Sequence, residues 1–208
     1  MSLAKIIFSI VIAYILGSIP FGFILTRITK HIDIRQYGSK NIGTTNVFRV
    51  AGPGLAIMVF ICDFLKGFFA VQIGRWLLQM QNIQTIEVQI VLSCVGIAAI
   101  LGHMFPIFLR LSGGKGVATG AGVLLNILPL PLLFAFLAFL IVLLISRIVS
   151  LGSLAAAIVL FITELIINIP EFDELPYLIL TGIIMILLIF AHKPNIQRLK
   201  HGEEKKLW

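Results

Sequence analysis

Charge is what this 208-residue sequence has least of: Asp, Glu, Lys and Arg together make up 12%, about half their share in ordinary soluble domains. Apolar residues make up 59% and the mean hydropathy is +1.08. A soluble globular domain is excluded, and an integral membrane protein is implied. Acids are scarcer than bases, nine Asp and Glu against sixteen Lys and Arg, for a formal charge of +7. Near the basic loops the only acids are Asp33, Glu203 and Glu204, so no carboxylate cluster suits Mg²⁺. No metal and no cofactor is expected. The two cysteines, Cys62 and Cys94, lie within apolar runs. That excludes a disulfide framework and a thiolate metal site, and both read as small buried hydrophobes. No basic module stands outside the apolar runs, which argues against nucleic acid as a partner. A Walker A pattern and a Gly-x-Ser-x-Gly elbow are also missing.

The apolar runs themselves predict an all-α polytopic bundle, one integral-membrane domain over 1–208. A spanning helix needs about 20 mostly apolar residues; runs at 3–27, 54–78, 87–110, 151–169 and 175–191 meet this. The first run is too long for a signal-peptide core and lacks an Ala-x-Ala cleavage site, so it reads as a retained span. The run 117–146 is different. As one helix its ~30 residues would reach about 45 Å, and Pro129-Leu130-Pro131 interrupts it. Proline removes a helix hydrogen bond and clashes with the preceding turn. Two helices, 117–128 and 131–146, arranged as a hairpin, bring the total to about seven. Whether that hairpin crosses the bilayer or only dips into it is open.

Basic residues are distributed unevenly. Loop 28–53 and its flank carry Arg27, Lys30, Arg35, Lys40 and Arg49; loop 110–117 carries Arg110 and Lys115; loop 147–153 carries Arg147. The tail 192–208 adds Lys193, Arg198, Lys200, Lys205 and Lys206. These are thirteen of the sixteen cations. The positive-inside rule then places these loops in the cytoplasm, with the N-terminus outside and the C-terminus inside. Glu164, toward the outer end of its span, is expected to snorkel.

Four polar stretches share that cytoplasmic edge. Arg110-Leu-Ser-Gly-Gly-Lys-Gly-Val-Ala-Thr119 places three glycines around one lysine, leaving backbone N–H groups to converge on an anion beside an ammonium. Loop 35–49 supplies Ser39, Asn41, Thr44 and Asn46 between arginines, donor types that suit an oxyanion. Arg147 through Ser153 adds a cation and two hydroxyls, although Ser150 or Ser153 also fits as a helix cap. His192 and Asn195 sit three apart at a helix end. Asp63 and Lys66, one turn apart within a span, read first as a structural ion pair. His103 could meet substrate or hold the glycine loop. Pro20 in Gly17-Ser-Ile-Pro-Phe-Gly22 should kink the first span, and the small residues there fit helix packing as well as a dimer seam. Taken together, these features describe a polyanion site beside hydrocarbon. A small membrane transporter of a phosphorylated solute is the alternative, since broken helices suit it.

Arg35-x-x-Gly-Ser-x-Asn-x-Gly-x-x-Asn-x-x-Arg49, Gly102-His103 through Gly113-Gly-Lys-Gly-Val-Ala-Thr119, Arg147 through Ser153, and His192 through Arg198 resemble, in this order, the motifs of bacterial acyl-phosphate:glycerol-3-phosphate acyltransferases. None of the four histidines is followed five residues later by Asp, the pairing used by thioester-dependent glycerophosphate acyltransferases. The resemblance implies a seven-helix inner-membrane enzyme that moves a fatty acyl group from acyl phosphate to the 1-hydroxyl of glycerol 3-phosphate; a monomer is expected. It implies catalytic roles for Ser39, Arg49, Lys115, Ser153, His192 and Asn195. Substrate phosphates would be bound by Gly38, Asn41, Thr44, Asn46, Gly113, Gly114, Gly116 and Ser150. Asp63, Lys66, His103 and Glu204 are candidates for structural support. The base for the attacking hydroxyl is either His192 or a substrate phosphate oxygen.

Overall fold

The computed structural model describes residues 2–79, 85–168 and 175–208, and among them every regular element is helical. The chain divides into two compact units, residues 1–80 with 94–126 and residues 81–93 with 127–208.

In the first unit, α1 (Leu3–Ser18) and α2 (Phe21–Lys30) form a 28-residue apolar stretch broken at Ile19 and Pro20. This is the expected proline break. A left-handed His31 then ends α2. Residues 33–52 fold over a small apolar core of their own, in which Ile34, Ile42 and Val47 are buried against Leu55, Val59 and Leu109. This segment holds α3 (Thr44–Ala51) and leads into α4 (Pro53–Leu77), whose first residue is a proline with no helical N–H to lose. α5 (Ile86–Met104), which belongs to this unit from Cys94 on, continues through a 3-10 turn to Leu109. The turn from α5 runs into α6 (Val117–Ile127). Glycines set how closely these helices approach. A Cβ on Gly17 would strike the Ala99 carbonyl, and one on Gly102 the Tyr14 carbonyl. The Gly17 face is therefore filled by α5 of the same chain.

The second unit contains α7 (Pro129–Ser146), α8 (Val149–Asn168), α9 (Leu175–Ala191) and α10 (Lys193–Lys200). α7 packs on α8, and α8 on α9. Much of α7 faces outward, with Phe136, Leu144 and Ile145 exposed, as suits a lipid-facing helix. Between α9 and α10 the axis bends by 60° at His192.

Among the described residues, five helices are long and apolar enough to cross a membrane, and the bent pair makes six. The break expected within 117–146 falls at Leu128, and α7 starts at Pro129 rather than at 131. Prolines in a first turn cost no hydrogen bond, so the pair opens the helix instead of preceding it. The count of seven is reached only by including α6. At 1.5 Å per residue its eleven residues reach about 16 Å, roughly half of the ~30 Å hydrocarbon core. α6 stops where Asn126 donates to the Phe68 carbonyl, midway along α4.

Two minor expectations fail. Cys94 is exposed and Cys62 half-buried, so neither is a core residue. Glu164 is 1% exposed; it faces inward, as membrane carboxylates usually do.

Candidate functional site

The loop after α2 is built around Asn46, which is 2% exposed. Its amide nitrogen donates to the carbonyls of Asn41 at 2.8 Å, Tyr37 at 3.1 Å and Ile34 at 3.3 Å. Its oxygen accepts from the Ser39 N–H at 2.8 Å. Both amide N–H groups point at protein carbonyls, so Asn46 departs from the expected phosphate donor: it shapes the loop. Gly38 faces the Asn46 side-chain oxygen and plays the same part. Asn41 ties this loop to the distant glycine loop, donating to the Gly113 carbonyl at 3.3 Å while accepting from Gly43 N–H at 2.8 Å. Thr44 opens α3 with Gly43 as its cap, and Arg49 lies on the last turn of the same helix. Ser39 is exposed and Arg49 half-buried. Arg35 is held by Asp33 through Nε at 3.0 Å and Nη2 at 2.7 Å, with its guanidinium over the Phe23 ring. The Arg35 hydrogen bond holds the Asp33 carboxyl below the usual range, and Asp33 raises the Arg35 guanidinium in turn.

The glycine loop differs from its expected form. The Gly113 and Gly114 N–H groups donate to the Met104 and His103 carbonyls at 3.1 and 3.0 Å, closing the loop over the end of α5. They are spent, and neither serves an anion. Both glycines are needed for close approach: a Cβ on Gly113 would meet the His103 carbonyl, and one on Gly114 the His103 ring. Gly116 has φ +80° and its carbonyl accepts from Gly120 N–H, so it turns the chain into α6. Lys115 is half-buried on this loop, and it leads into the opening turn of α6, whose first N–H groups have no partner within the helix.

Beneath this loop lie residues that the sequence left undecided. Asp63 and Lys66 pair at 2.7 Å, and both are buried. His103 is 3% exposed and meets Thr119 and Asp63. Thr119, fully buried, had no role read from sequence; nothing local distinguishes a threonine in a first helical turn from a cap. Tyr14 was missed too, and donates to the Phe105 carbonyl at 2.8 Å. A tyrosine within an apolar span was the available signal, because its hydroxyl must find a partner.

In the second unit Glu204 organises the motif residues. Its Oε1 accepts from Asn195 Nδ2 at 2.6 Å and from Ser150 Oγ at 2.8 Å, and its Oε2 from Arg198 Nε at 2.6 Å. Burial pushes this carboxyl up, but the bonds from Asn195, Ser150 and Arg198 outweigh it and hold the group below the usual range. Ser150 gives its one hydroxyl proton to Glu204, which corrects the expectation that it donates to phosphate. The Ser153 hydroxyl donates to the Val149 carbonyl at 3.0 Å, within its own helix. Neither serine caps α8. His192 is 2% exposed, with Nδ1 at 2.8 Å from the Leu188 carbonyl. A carbonyl only accepts, so Nδ1 carries the proton and Nε2 is the basic nitrogen. The tail closes the arrangement, with Leu207 N–H donating to the Arg147 carbonyl at 2.7 Å.

The glycerol-3-phosphate acyltransferase family model matches residues 7–202. The chain is 39% identical over 198 residues to a glycerol-3-phosphate acyltransferase of Syntrophomonas wolfei, covering 95% of each chain. It is 40% identical over 204 residues to one of Staphylococcus aureus, covering 97% of this chain and 98% of that one. Among solved structures it resembles PlsY (YgiH), an integral membrane glycerol 3-phosphate acyltransferase, in its glycerol 3-phosphate form. The TM-score is 0.86 at 38% identity, over 97% of this chain and 94% of that one. The lysophosphatidic acid form of that protein matches with a TM-score of 0.84 at 37% identity, over the same shares. With the match running nearly end to end, the chain belongs to the glycerol-3-phosphate acyltransferase family.

Proposed function

We propose that this protein transfers a fatty acyl group from acyl phosphate to the sn-1 hydroxyl of glycerol 3-phosphate, giving lysophosphatidic acid and inorganic phosphate. The observation that carries this reading is the likeness, over 97% of the chain, to an acyltransferase solved with glycerol 3-phosphate and with lysophosphatidic acid. The hydroxyl oxygen attacks the acyl carbonyl carbon, the bond from that carbon to the phosphate oxygen breaks, and its electron pair leaves with phosphate. The hydroxyl proton passes to Nε2 of His192 or to a substrate phosphate oxygen.

Acyl phosphate already has a good leaving group, so positioning and charge neutralisation supply most of the rate. Two phosphates in one cleft repel strongly unless cations stand beside them. Lys115, the opening turn of α6, Arg49, Ser39 and Thr44 are assigned to that task, and His192 and Asn195 to the reacting groups; Ser153, whose hydroxyl proton goes to the Val149 carbonyl, would join them only by turning from that bond. The enzyme works as a monomer in the bacterial inner membrane, with its N-terminus outside and its basic loops in the cytoplasm. The charge distribution along the sequence supports that orientation.

The test is phosphate release from palmitoyl phosphate by the purified protein, dependent on glycerol 3-phosphate. Lys115→Ala is expected to cut kcat/KM about a hundredfold, as loss of a strong charge-stabilising donor does. Efficient turnover of acyl-CoA or acyl carrier protein would reject the donor, and wild-type kinetics in Lys115→Ala would reject the anion site.

A further inference from the structure

The most deeply buried charges of the first unit lie directly under the glycine loop. Lys66 and Asp63 stand 2.7 Å apart, each side chain 3% exposed. Lys66 also donates to the Ile19 carbonyl at 2.8 Å, in the break between α1 and α2 where no helical N–H reaches that oxygen. On the other side, Asp63 Oδ1 is 3.5 Å from His103 Nδ1, and the same nitrogen is 3.1 Å from Thr119 Oγ1. The opposite edge of the imidazole, at Nε2, lies so close to Gly114 that a Cβ there has no room. A continuous polar chain thus runs from the α1 break through α4 and α5 to the first turn of α6.

Holding helices together does not require this chain. Well-packed apolar side chains would do so with less desolvation. A buried polar chain differs in direction, because each ion pair or hydrogen bond favours one orientation of the next group; Asp63 Oδ1 makes no hydrogen bond and holds Lys66 and His103 by charge. Here the ordered group is the His103 ring, and that ring is the surface on which Gly114 rests. Lys115 is the next residue.

We infer that His103 and Thr119 are positioning residues for Lys115: the buried chain from Ile19 through Lys66 and Asp63 orients the imidazole, and the imidazole and Thr119 together fix the loop and the start of α6. The inference rests on the anion-site reading of Lys115, and one experiment separates the two. Thr119→Val keeps the shape and the methyl group but removes the hydroxyl, so the fold should persist with a thermal midpoint lowered by only a few degrees. Amide hydrogen exchange at residues 113–117 should then quicken several-fold. KM for the phosphate substrate held by Lys115 should rise about tenfold, the scale of coupling within a hydrogen-bonded network, with kcat changed less. Thr119→Ser, which restores the hydroxyl, should recover both values. Added to Lys115→Ala, Thr119→Val should cause no further loss of activity, because a residue acting through the lysine has nothing left to act on. Unchanged loop exchange in Thr119→Val would overturn the inference whatever the kinetics do. Faster exchange with wild-type kinetics would show that the order of the loop does not matter to the reaction and would overturn the inference, whereas the reading of Lys115 falls only if Lys115→Ala itself keeps wild-type kinetics. Additive losses in the double variant would reduce His103 and Thr119 to a general contribution to the fold and overturn the inference.

Discussion

Asn46 and Lys115 are both polar residues of motif loops, yet they do different work. Asn46 has four bonds to backbone groups of residues 34–41 and is buried, whereas Lys115 is half-buried on the glycine loop. Removing the first should cost stability. Asn46→Ala leaves several buried backbone groups unpartnered and is expected to destabilise the loop by about 1–3 kcal/mol. Faster amide exchange at Ser39–Asn41 and a lower thermal midpoint would register this. A variant with wild-type exchange and reduced activity would make Asn46 a ligand after all. The sequence lists residue types suited to an oxyanion, and from it both residues qualify. That protein carbonyls take both amide hydrogens of Asn46 depends on where those carbonyls point, and no spacing rule contains that.

At the scale of elements, α10 and the tail form a clasp whose pin is Glu204. Its side chain is 4% exposed and takes bonds from α8 and α10. The folded carboxyl titrates below its unfolded value of about 4.3. Its contribution is therefore complete above that value and disappears as pH falls through the folded one. Tail protection from exchange or proteolysis should be flat at neutral pH and fall below about pH 4, while Glu204→Gln should show a loosened tail with little pH response. A pH-independent tail in the native chain would remove Glu204 from this role. The helices themselves were readable from apolar runs and prolines, because lipid demands length and apolarity whatever the packing. The tail was not. Its attachment to Arg147 is a single backbone bond across sixty residues of sequence.

For the whole molecule, membrane residence and the placing of breaks at Pro20 and Leu128 followed from composition and proline chemistry. The number of crossings did not, since apolarity is visible in α6 but the depth at which it starts is not. Nor could the sequence assign the Gly17 face. The structure fills it with Ala99 of the same chain, so Gly17→Leu should push α1 from α5 and lower the thermal midpoint sharply. Size analysis in detergent should show no monomer–oligomer shift from that change; a shift at unchanged stability would mark the face as a subunit seam.

The half-length of α6 also bears on the order in which the protein is assembled. Segments enter lipid one at a time only when each is long enough to satisfy the bilayer alone, and eleven residues are not. α6 needs a wall already in place: the α4 carbonyl at Phe68 for Asn126, and the His103 ring for Thr119. Its first turn carries the chain away from Lys115, so the glycine loop matures only after α4 and α5 are seated. A nascent chain halted before α6 would hold three good spans and be anchored in the membrane, but its glycine loop would have no helix to lead into.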